Sequence, residues 1–375
     1  AIFLFVILFI TISNSFILRN ISKFKSPSRF PSISILVPAR NEEKNIAKCI
    51  NSLLNQNYPN FQVHVLDDNS TDNTWNILTE LASKNEHLSI HKGQTLPNGW
   101  LGKHWACYQL AEKVESEILL FTDADTYHHP DTLIGAISAL EELDADLITA
   151  FPHEDIVTWG ERLMVPLFPW FIIAFLPLIV AYRVQSPAFS AAIGQFMMFR
   201  REAYEAIGGH EAIKQEVVDD VALARRIKAK GLRWRMINGI ERISCRMYDG
   251  FISAYKGFTK NLFAGFGYSI LKYIFVWSWI GIAFLQPVIV LLMNIYHSSK
   301  INEFSLVFSS IGIIFSFLIW FFSNLKFRFP LYLTFLYPIN IMLVIAIAFG
   351  SMIITLTGKA GWKGRQFIKP KTRWW

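Results

Sequence analysis

The sequence is poor in cysteine, in repetition and in charge ahead of its first apolar run, and each shortage narrows what the chain can be. It holds 3 cysteines in 375 residues. Cys49, Cys107 and Cys245 are too widely spaced for a metal or redox motif, which fits a reduced compartment facing the soluble part. No internal repeat and no low-complexity tract occurs, so the length reads as one large domain or two ordinary ones. Residues 2–18 are almost wholly apolar, and a secretory signal would carry its positive charge ahead of such a run. The basic residues come after the run (Arg19, Lys23, Lys25, Arg29), as for an anchor whose C-terminal flank is cytosolic. The first residue is Ala1, not Met, and the native start is expected upstream of it. A net charge of +7 suggests nucleic acid at first sight, but the excess lies beside apolar runs and in the tail. Membrane flanks account for that placement, and no nucleic-acid partner is expected.

Apolar residues are abundant instead: 52% of the chain, 32 of them Phe, above the usual share for soluble proteins. They gather at the two ends. Residues 1–20 read as an N-terminal transmembrane anchor, and 273–296, 304–322 and 331–357 are each long enough to cross a bilayer, for which about 20 residues suffice. Three crossings after a cytoplasmic domain would put the basic tail, 358–375 (Lys359, Lys363, Arg365, Lys369, Lys371, Arg373), on the outer side, against the positive-inside bias. Pro330 and Pro338 make the last region, within 273–357, the one expected to re-enter rather than cross. Residues 163–182, with Pro166, Pro169 and Pro177, read as a membrane-dipping segment, the alternative being a buried helix pair. Residues 251–272 read as an amphipathic interfacial segment. The expectation is a multi-pass protein of the cell membrane with its catalytic domain, 31–250, in the cytoplasm.

Between residues 31 and 160, short apolar strands alternate with helical stripes, the pattern of an α/β layer fold. Helices are expected over 44–55, 74–82, 105–114 and 130–143, followed by a less regular stretch from 151 to 250. Strands at 33–37, 61–66 and 117–122 each run into polar residues: Pro38 to Glu43, Asp67 to Asp72, and Asp123-Ala124-Asp125. In open α/β sheets ligands bind outside the carboxyl ends of the strands, so the three motifs mark one crevice.

Asp123 and Asp125 alternate at a strand end, where two carboxylates can turn to one hard divalent cation that bridges phosphates; the alternative is a solvated turn before the next helix. Asp67 and Asp68 precede a helix that Ser70 or Asp72 would cap, and are themselves placed to accept bonds from a base N–H or from ribose hydroxyls. Lys103 follows a Gly-containing loop (96–102) that opens a helix, a place for an anion, with plain loop structure the alternative. Asp219 and Asp220 begin a helix whose bases come later; matching the helix dipole would explain the pair, as would a general base, Asp220 ahead of Asp219. His128 and His129 are expected at the surface. Together these residues point to a metal-assisted enzyme acting on a nucleoside diphosphate compound.

The motifs at 37–43, 67–72, 123–125 and 219–220 resemble the inverting family 2 glycosyltransferases, whose α/β fold is the GT-A nucleotide-diphospho-sugar transferase type with a Rossmann-like mixed sheet. The resemblance covers about residues 31–250. It implies that Pro38, Ala39, Arg40, Glu42, Asp67, Asp68, Lys103, Asp123 and Ala124 bind the donor, that Asp123 and Asp125 hold Mg2+ or Mn2+, and that Asp220 is the base. That family carries Glu-Asp where this chain has Asp219-Asp220. Stretches 100–109, 194–210, 245–251 and 362–366 further resemble membrane glycosyltransferases of carotenoid and hopanoid pathways, of the diaponeurosporenoate type. This likeness implies a UDP-sugar donor, glucose for preference, and a membrane lipid acceptor such as a carotenoid acid or a hopanoid. Gly194, Gln195, Arg246 and Tyr248 would then meet the acceptor, with plain packing the alternative for Arg246 and Tyr248. Rival readings are a polysaccharide synthase, a polyprenyl-phosphate sugar transferase and a non-catalytic binding scaffold. The first is disfavoured because Arg233-Trp234 lacks the Gln three residues ahead of the Arg that those enzymes carry.

Overall fold

A computed structural model describes residues 1–296, 302–359, 361–362, 365–366 and 370–374. Lys363 and Lys369 of the basic tail lie outside the described residues, as do residues 363–364 of the 362–366 motif. The chain divides into two compact units, one of 18–155 with 180–247, the other of 1–17, 156–179 and 248–375.

The first unit is built on a seven-stranded sheet. Its strands are β1 (Ile33–Ala39), β2 (Phe61–Asp67), β3 (Leu88–Lys92), β4 (Ile118–Phe121), β6 (Leu147–Phe151), β8 (Met197–Arg200) and β9 (Trp234–Asn238). They lie in the order β3-β2-β1-β4-β8-β6-β9, all parallel except β8, which runs against β4 and β6. Strands covered on both faces need continuous apolar runs, and Ile35, Leu36, Val37, Leu119 and Leu120 are buried accordingly. A second, three-stranded sheet joins β5 (Thr126–His128), β10 (Ile243–Cys245) and β7 (His153–Glu154). Helices Ile46–Leu54, Thr74–Ala82, Gly102–Ala111 and Thr132–Glu142 fall on the four expected stripes, with starts and ends moved by up to three residues. Strand β1 has β2 on one side and β4 on the other, so the carboxyl ends of β1, β2 and β4 open on the switch point of the sheet.

The second unit is helical. Among the described residues, three of its helices are long and apolar enough to cross a membrane: Ile270–Tyr296, Glu303–Lys326 and, counting a 3-10 turn at Leu331–Leu336, the run Leu331–Leu356. Helix Ile2–Ile17 is shorter, at 16 residues. The first two long helices pack as a hairpin, Pro287 against Gly312, where a Cβ would meet the proline ring at 2.9 Å. The expected interfacial segment is a helix, Phe251–Gly265, whose Phe263 N–H donates to Ser351 Oγ at 3.0 Å. Segment 163–182 forms no single helix. It breaks at Pro166 and Pro177 into pieces that include Leu167–Phe175, whose Trp170, Ile173 and Ala174 are buried and whose Trp170 ring stacks 4.7 Å from Trp320.

Candidate active site

The ends of β1 and β2 are laced together by their loops. Asn41 and Asn69 take left-handed backbone (φ 53° and 54°), which asparagine tolerates better than most residues. The Asn41 N–H donates to Ser70 Oγ (2.9 Å), and its side-chain oxygen accepts from the Thr71 N–H (2.8 Å). Asp72 accepts from the Thr74 N–H (3.0 Å) and so serves the helix start, while Ser70 ties the loops. Ala39 at the end of β1 accepts the Asp68 N–H at 2.8 Å. Asp67 and Asp68 are buried. The Arg40 guanidinium donates to the Asp68 carbonyl (2.5 Å) and lies 3.7 Å from its carboxylate. Asp67 Oδ2 accepts from the Ser70 N–H at 3.4 Å, while its Oδ1 is buried with no hydrogen-bond partner among the described residues. Gly93, directly after β3, faces this pair: a Cβ there would come within 3.1 Å of the Asp67 carbonyl and 3.3 Å of Asp68 Cα.

The second group of residues meets at Lys103. Its Nζ, at the start of helix Gly102–Ala111, lies 2.7 Å from Asp123 Oδ1 and 3.5 Å from Asp219 Oδ2. Burial works against the charge of Lys103, but Asp123 and then Asp219 prevail and hold its ammonium well above the ordinary value. Asp220, next along the helix Asp219–Ala229, accepts the Gly194 N–H at 3.1 Å and the Val221 N–H at 2.6 Å. A Cβ on Gly194 would sit 3.5 Å from both Asp220 Oδ2 and Lys103 Nζ, so this backbone lies in contact with both base and cation. Burial first, then Asp219, pushes the Asp220 carboxyl up to about 7. Asp125 is pushed up to about 7 as well, by burial, then by Asp123 and by Glu42.

Sequence spacing therefore brings Lys103, Asp123, Asp219, Asp220 and Gly194 to one point, with Arg40, Asp67 and Asp68 grouped at the adjoining strand ends. Of the other expected residues, Ala124 is buried, and Gln195 is buried with its carbonyl accepting from Thr122 Oγ1 (2.7 Å). Arg246 is exposed just after β10. Tyr248 belongs to the helical unit, where its ring packs 5.4 Å from Phe258.

One expectation is corrected outright: His128 is not at the surface. It is 1% exposed, and its Nε2 lies 2.9 Å from Thr126 Oγ1 and 3.1 Å from Thr122 Oγ1. The reason is β5, a three-residue strand that turns alternate side chains inward, Thr126 and His128, and leaves Tyr127 out. His129, past its end, is exposed. The three cysteines, far apart in sequence, are all buried and free. Two adjoin the acids: Cys49 Sγ lies 3.6 Å from the Asp123 carbonyl, and Cys245 Sγ lies 3.2 Å from Glu154 Oε2. Glu154, which no motif in the sequence singles out, is raised to about 8 by burial, with Asp125 adding to the push.

Among the described residues, no group of three or more His, Cys, Asp and Glu side chains forms a metal cage. Asp125 nonetheless has a buried Oδ1 with no hydrogen-bond partner among the described residues, beside two further carboxylates that repel its charge. A divalent cation satisfies both needs, and two carboxylates leave ligand positions for phosphate oxygens and water. Asp123 and Asp125 fit that group.

The sheet order, the antiparallel strand next to β4 and the acids at the switch point define the GT-A type of nucleotide-diphospho-sugar transferase fold. Residues 34–208 match the model for Glycosyl transferase family 2. The chain is 27% identical over 251 residues to a 4,4'-diaponeurosporenoate glycosyltransferase of Staphylococcus haemolyticus, covering 66% of this chain and 65% of the relative. It is 27% identical over 244 residues to the enzyme of that name from Staphylococcus aureus (strain USA300), covering 63% of this chain and 62% of the relative. The match thus spans less than two thirds of these curated relatives. In fold the chain is similar to the mannosyltransferase PcManGT of Pyrobaculum calidifontis, solved with GDP-Man and Mn2+: TM-score 0.53, 16% identity, 89% of this chain and 90% of that one.

Proposed function

We propose that the chain transfers a sugar, glucose for preference, from a UDP-sugar to a lipid acceptor of the membrane, with inversion at the anomeric carbon. The observation that carries this reading is the meeting of Lys103, Asp123, Asp219 and Asp220, which sets a phosphate-binding cation beside a candidate base. Asp67 and Asp68, held by Arg40 and the β1 loop with Pro38, Ala39 and Glu42, receive the nucleoside. Lys103, already paired with Asp123 and Asp219, gains a further anionic partner when a diphosphate enters, and orients it. Asp123 and Asp125 would hold Mg2+ or Mn2+, which would supply positive charge for the leaving diphosphate. Asp220, raised to about 7, is suited to take a proton from an acceptor hydroxyl near neutral pH.

The names of the relatives favour a carotenoid acid as acceptor, and a hopanoid is the other lipid considered. A carboxylate acceptor is already ionised at neutral pH and needs no base. Asp220→Asn separates the cases: a loss of less than about 10-fold marks a carboxylate acceptor, and a loss of about 100-fold or more a hydroxyl. The reading itself is tested by expressing the protein in cells that make carotenoid acids or hopanoids and weighing their lipids. A gain of one hexose on one lipid class supports it. Absence of any glycosylated lipid, together with no UDP release from UDP-sugar in lipid extract with Mn2+, overturns it.

The helical unit supports a multi-pass arrangement in which the last apolar run re-enters instead of crossing. Helices 270–296 and 303–326 form a hairpin, so residues 270 and 326 share one end. The tail returns to that end: the Ile270 N–H donates to the Arg373 carbonyl (2.9 Å) and the Leu271 N–H to the Trp374 carbonyl (3.1 Å). Helix Tyr337–Leu356 heads the same way, its Ala348 carbonyl accepting from Tyr273 Oη at 2.9 Å. The chain from 327 to 373 therefore leaves and regains one face. This relieves the conflict with the positive-inside bias and puts the basic tail on the cytoplasmic side. Cysteines introduced at Arg328 and Lys371 should react with a membrane-impermeant maleimide from the same side of sealed vesicles, and one at Asn302 from the opposite side. Labelling of 371 from the 302 side rules the arrangement out.

A further inference from the structure

In the sheet unit, residues 214–218, which lead into Asp219 and Asp220, lie in no helix or strand of their own. They are held by the start of helix Gly102–Ala111, at three points. The Leu101 N–H donates to the Lys214 carbonyl at 3.0 Å. His104 Nε2 lies 2.8 Å from the Glu216 carbonyl. Lys103 Nζ lies 3.5 Å from Asp219 Oδ2. A carbonyl oxygen can only accept, so the Nε2 of His104 carries the proton and donates. His104 is 3% exposed, and its hydrogen bond is made away from water, where losing the donor leaves a carbonyl unsatisfied.

The three holds differ in what can displace them. The contact of Lys103 with Asp219 is one of charge, and a diphosphate arriving at Asp123 competes for the same ammonium. The bond from His104 runs to backbone and carries no net charge, so the donor leaves it in place. Building on the glycosyl-transfer reading, we infer that His104 is a positioning residue. It keeps the base-bearing segment in register with the end of β4 while Lys103 is drawn toward the donor phosphates. Lys103 and His104, neighbours on the first helical turn, thus divide the work between the crevice and its wall. The three-point hold also explains why a segment without regular structure can present Asp219 and Asp220 in fixed positions.

The alternative is that His104 only fills space, beside His210, whose ring centre is 6.1 Å away. Two variants distinguish these roles, because glutamine keeps an N–H donor and leucine keeps only bulk. His104→Leu should lower kcat by about 10- to 100-fold, as misplacement of a reacting group does, with the KM for UDP-sugar changed less than about 3-fold. Amide hydrogen exchange in peptides covering 213–220 should quicken by about 5- to 10-fold, the worth of one hydrogen bond, and more with UDP bound than without. His104→Gln should regain most of both. Equal loss in the two variants, or unchanged exchange in His104→Leu, overturns the inference. Nitrogen-15 spectra of the wild-type ring provide a check free of any variant: the Nε2–H tautomer is expected at neutral pH, and an Nδ1–H tautomer overturns the proposal. Should the wild-type protein cleave no sugar nucleotide, the catalytic reading fails while the exchange and tautomer measurements still judge His104.

Discussion

The sheet unit and the helical unit both bury polar side chains, but of different kinds. The helical unit buries mostly neutral ones, several of them bound to backbone; its buried carboxylate, Glu161, is held by the Val157 N–H and the Thr158 hydroxyl. Asn14 donates to the Ile173 and Leu176 carbonyls (2.8 and 2.7 Å) and accepts the Leu178 N–H at 2.9 Å, while Thr11 donates to the Ile7 carbonyl. The sheet unit buries ionisable groups instead, among them Asp67, Asp68 and Glu154, and draws Lys103, Asp123, Asp219 and Asp220 into one cluster. An ionised side chain costs far more to bury than an amide unless it is fully paired. The helical unit is thus built for stability, and the sheet unit gives up some stability to keep charges poised for a ligand.

Four measurements test that contrast, in descending order of expected effect. Replacing Asp123 and Asp125 together by alanine should reduce sugar transfer by about 1,000-fold or more, a loss of several kcal/mol of transition-state stabilisation; undiminished turnover would refute the assignment. In the helical unit, Trp170→Ala removes a fully buried ring stacked on Trp320 and should destabilise by about 3–5 kcal/mol. Melting in detergent reads this, and a shift below about 1 kcal/mol would show that the stack carries little. Third comes acid stability. Burial lowers His128 and His210 to about 3, so between there and about 6.5 the unfolded chain binds protons that the folded one does not. Stability should rise with pH across that window and be lost as pH falls, by about 1.4 kcal/mol per pH unit for each histidine. His210→Gln should flatten the slope by one proton's worth, and an unchanged slope would show that His210 is charged in the fold. Smallest is Asp125→Asn. Its carboxyl is raised, so ionisation opposes folding as pH climbs toward neutrality. The variant should melt about 1–2 kcal/mol higher at neutral pH without metal and lose the stabilisation that Mn2+ gives the parent. A lower melting point would mean that Asp125 supports the fold directly.

The same contrast explains what could be read from the residues alone. Strands β1, β2 and β4 were visible as apolar runs because both faces are covered, and their polar ends announced the crevice. Strand β3, Leu-Ser-Ile-His-Lys, escaped notice because it is short, at the sheet edge and only partly buried. Gly93, which makes room for Asp67 and Asp68, went with it. The residues from 151 to 250 looked irregular because β8 and β9 are four and five residues long and separated by short helices. Burial of His128 could not be foreseen, since a three-residue strand offers no period to count. Convergence of Cys49 and Cys245 on the acids is likewise a product of topology: their neighbours in space come from β4, β5 and β7, not from nearby sequence.

The pairing of Arg373 and Trp374 with Ile270 and Leu271 has a practical side. The opening N–H groups of an α-helix have no partners within it, and here two of them are served by carbonyls from about a hundred residues downstream. Shortening the chain before position 373 would leave those amides bare at the head of the longest helix. Purification handles and reporter fusions therefore belong after a spacer at this terminus, and truncations meant to trim a dispensable basic extension would instead unfasten a clasp.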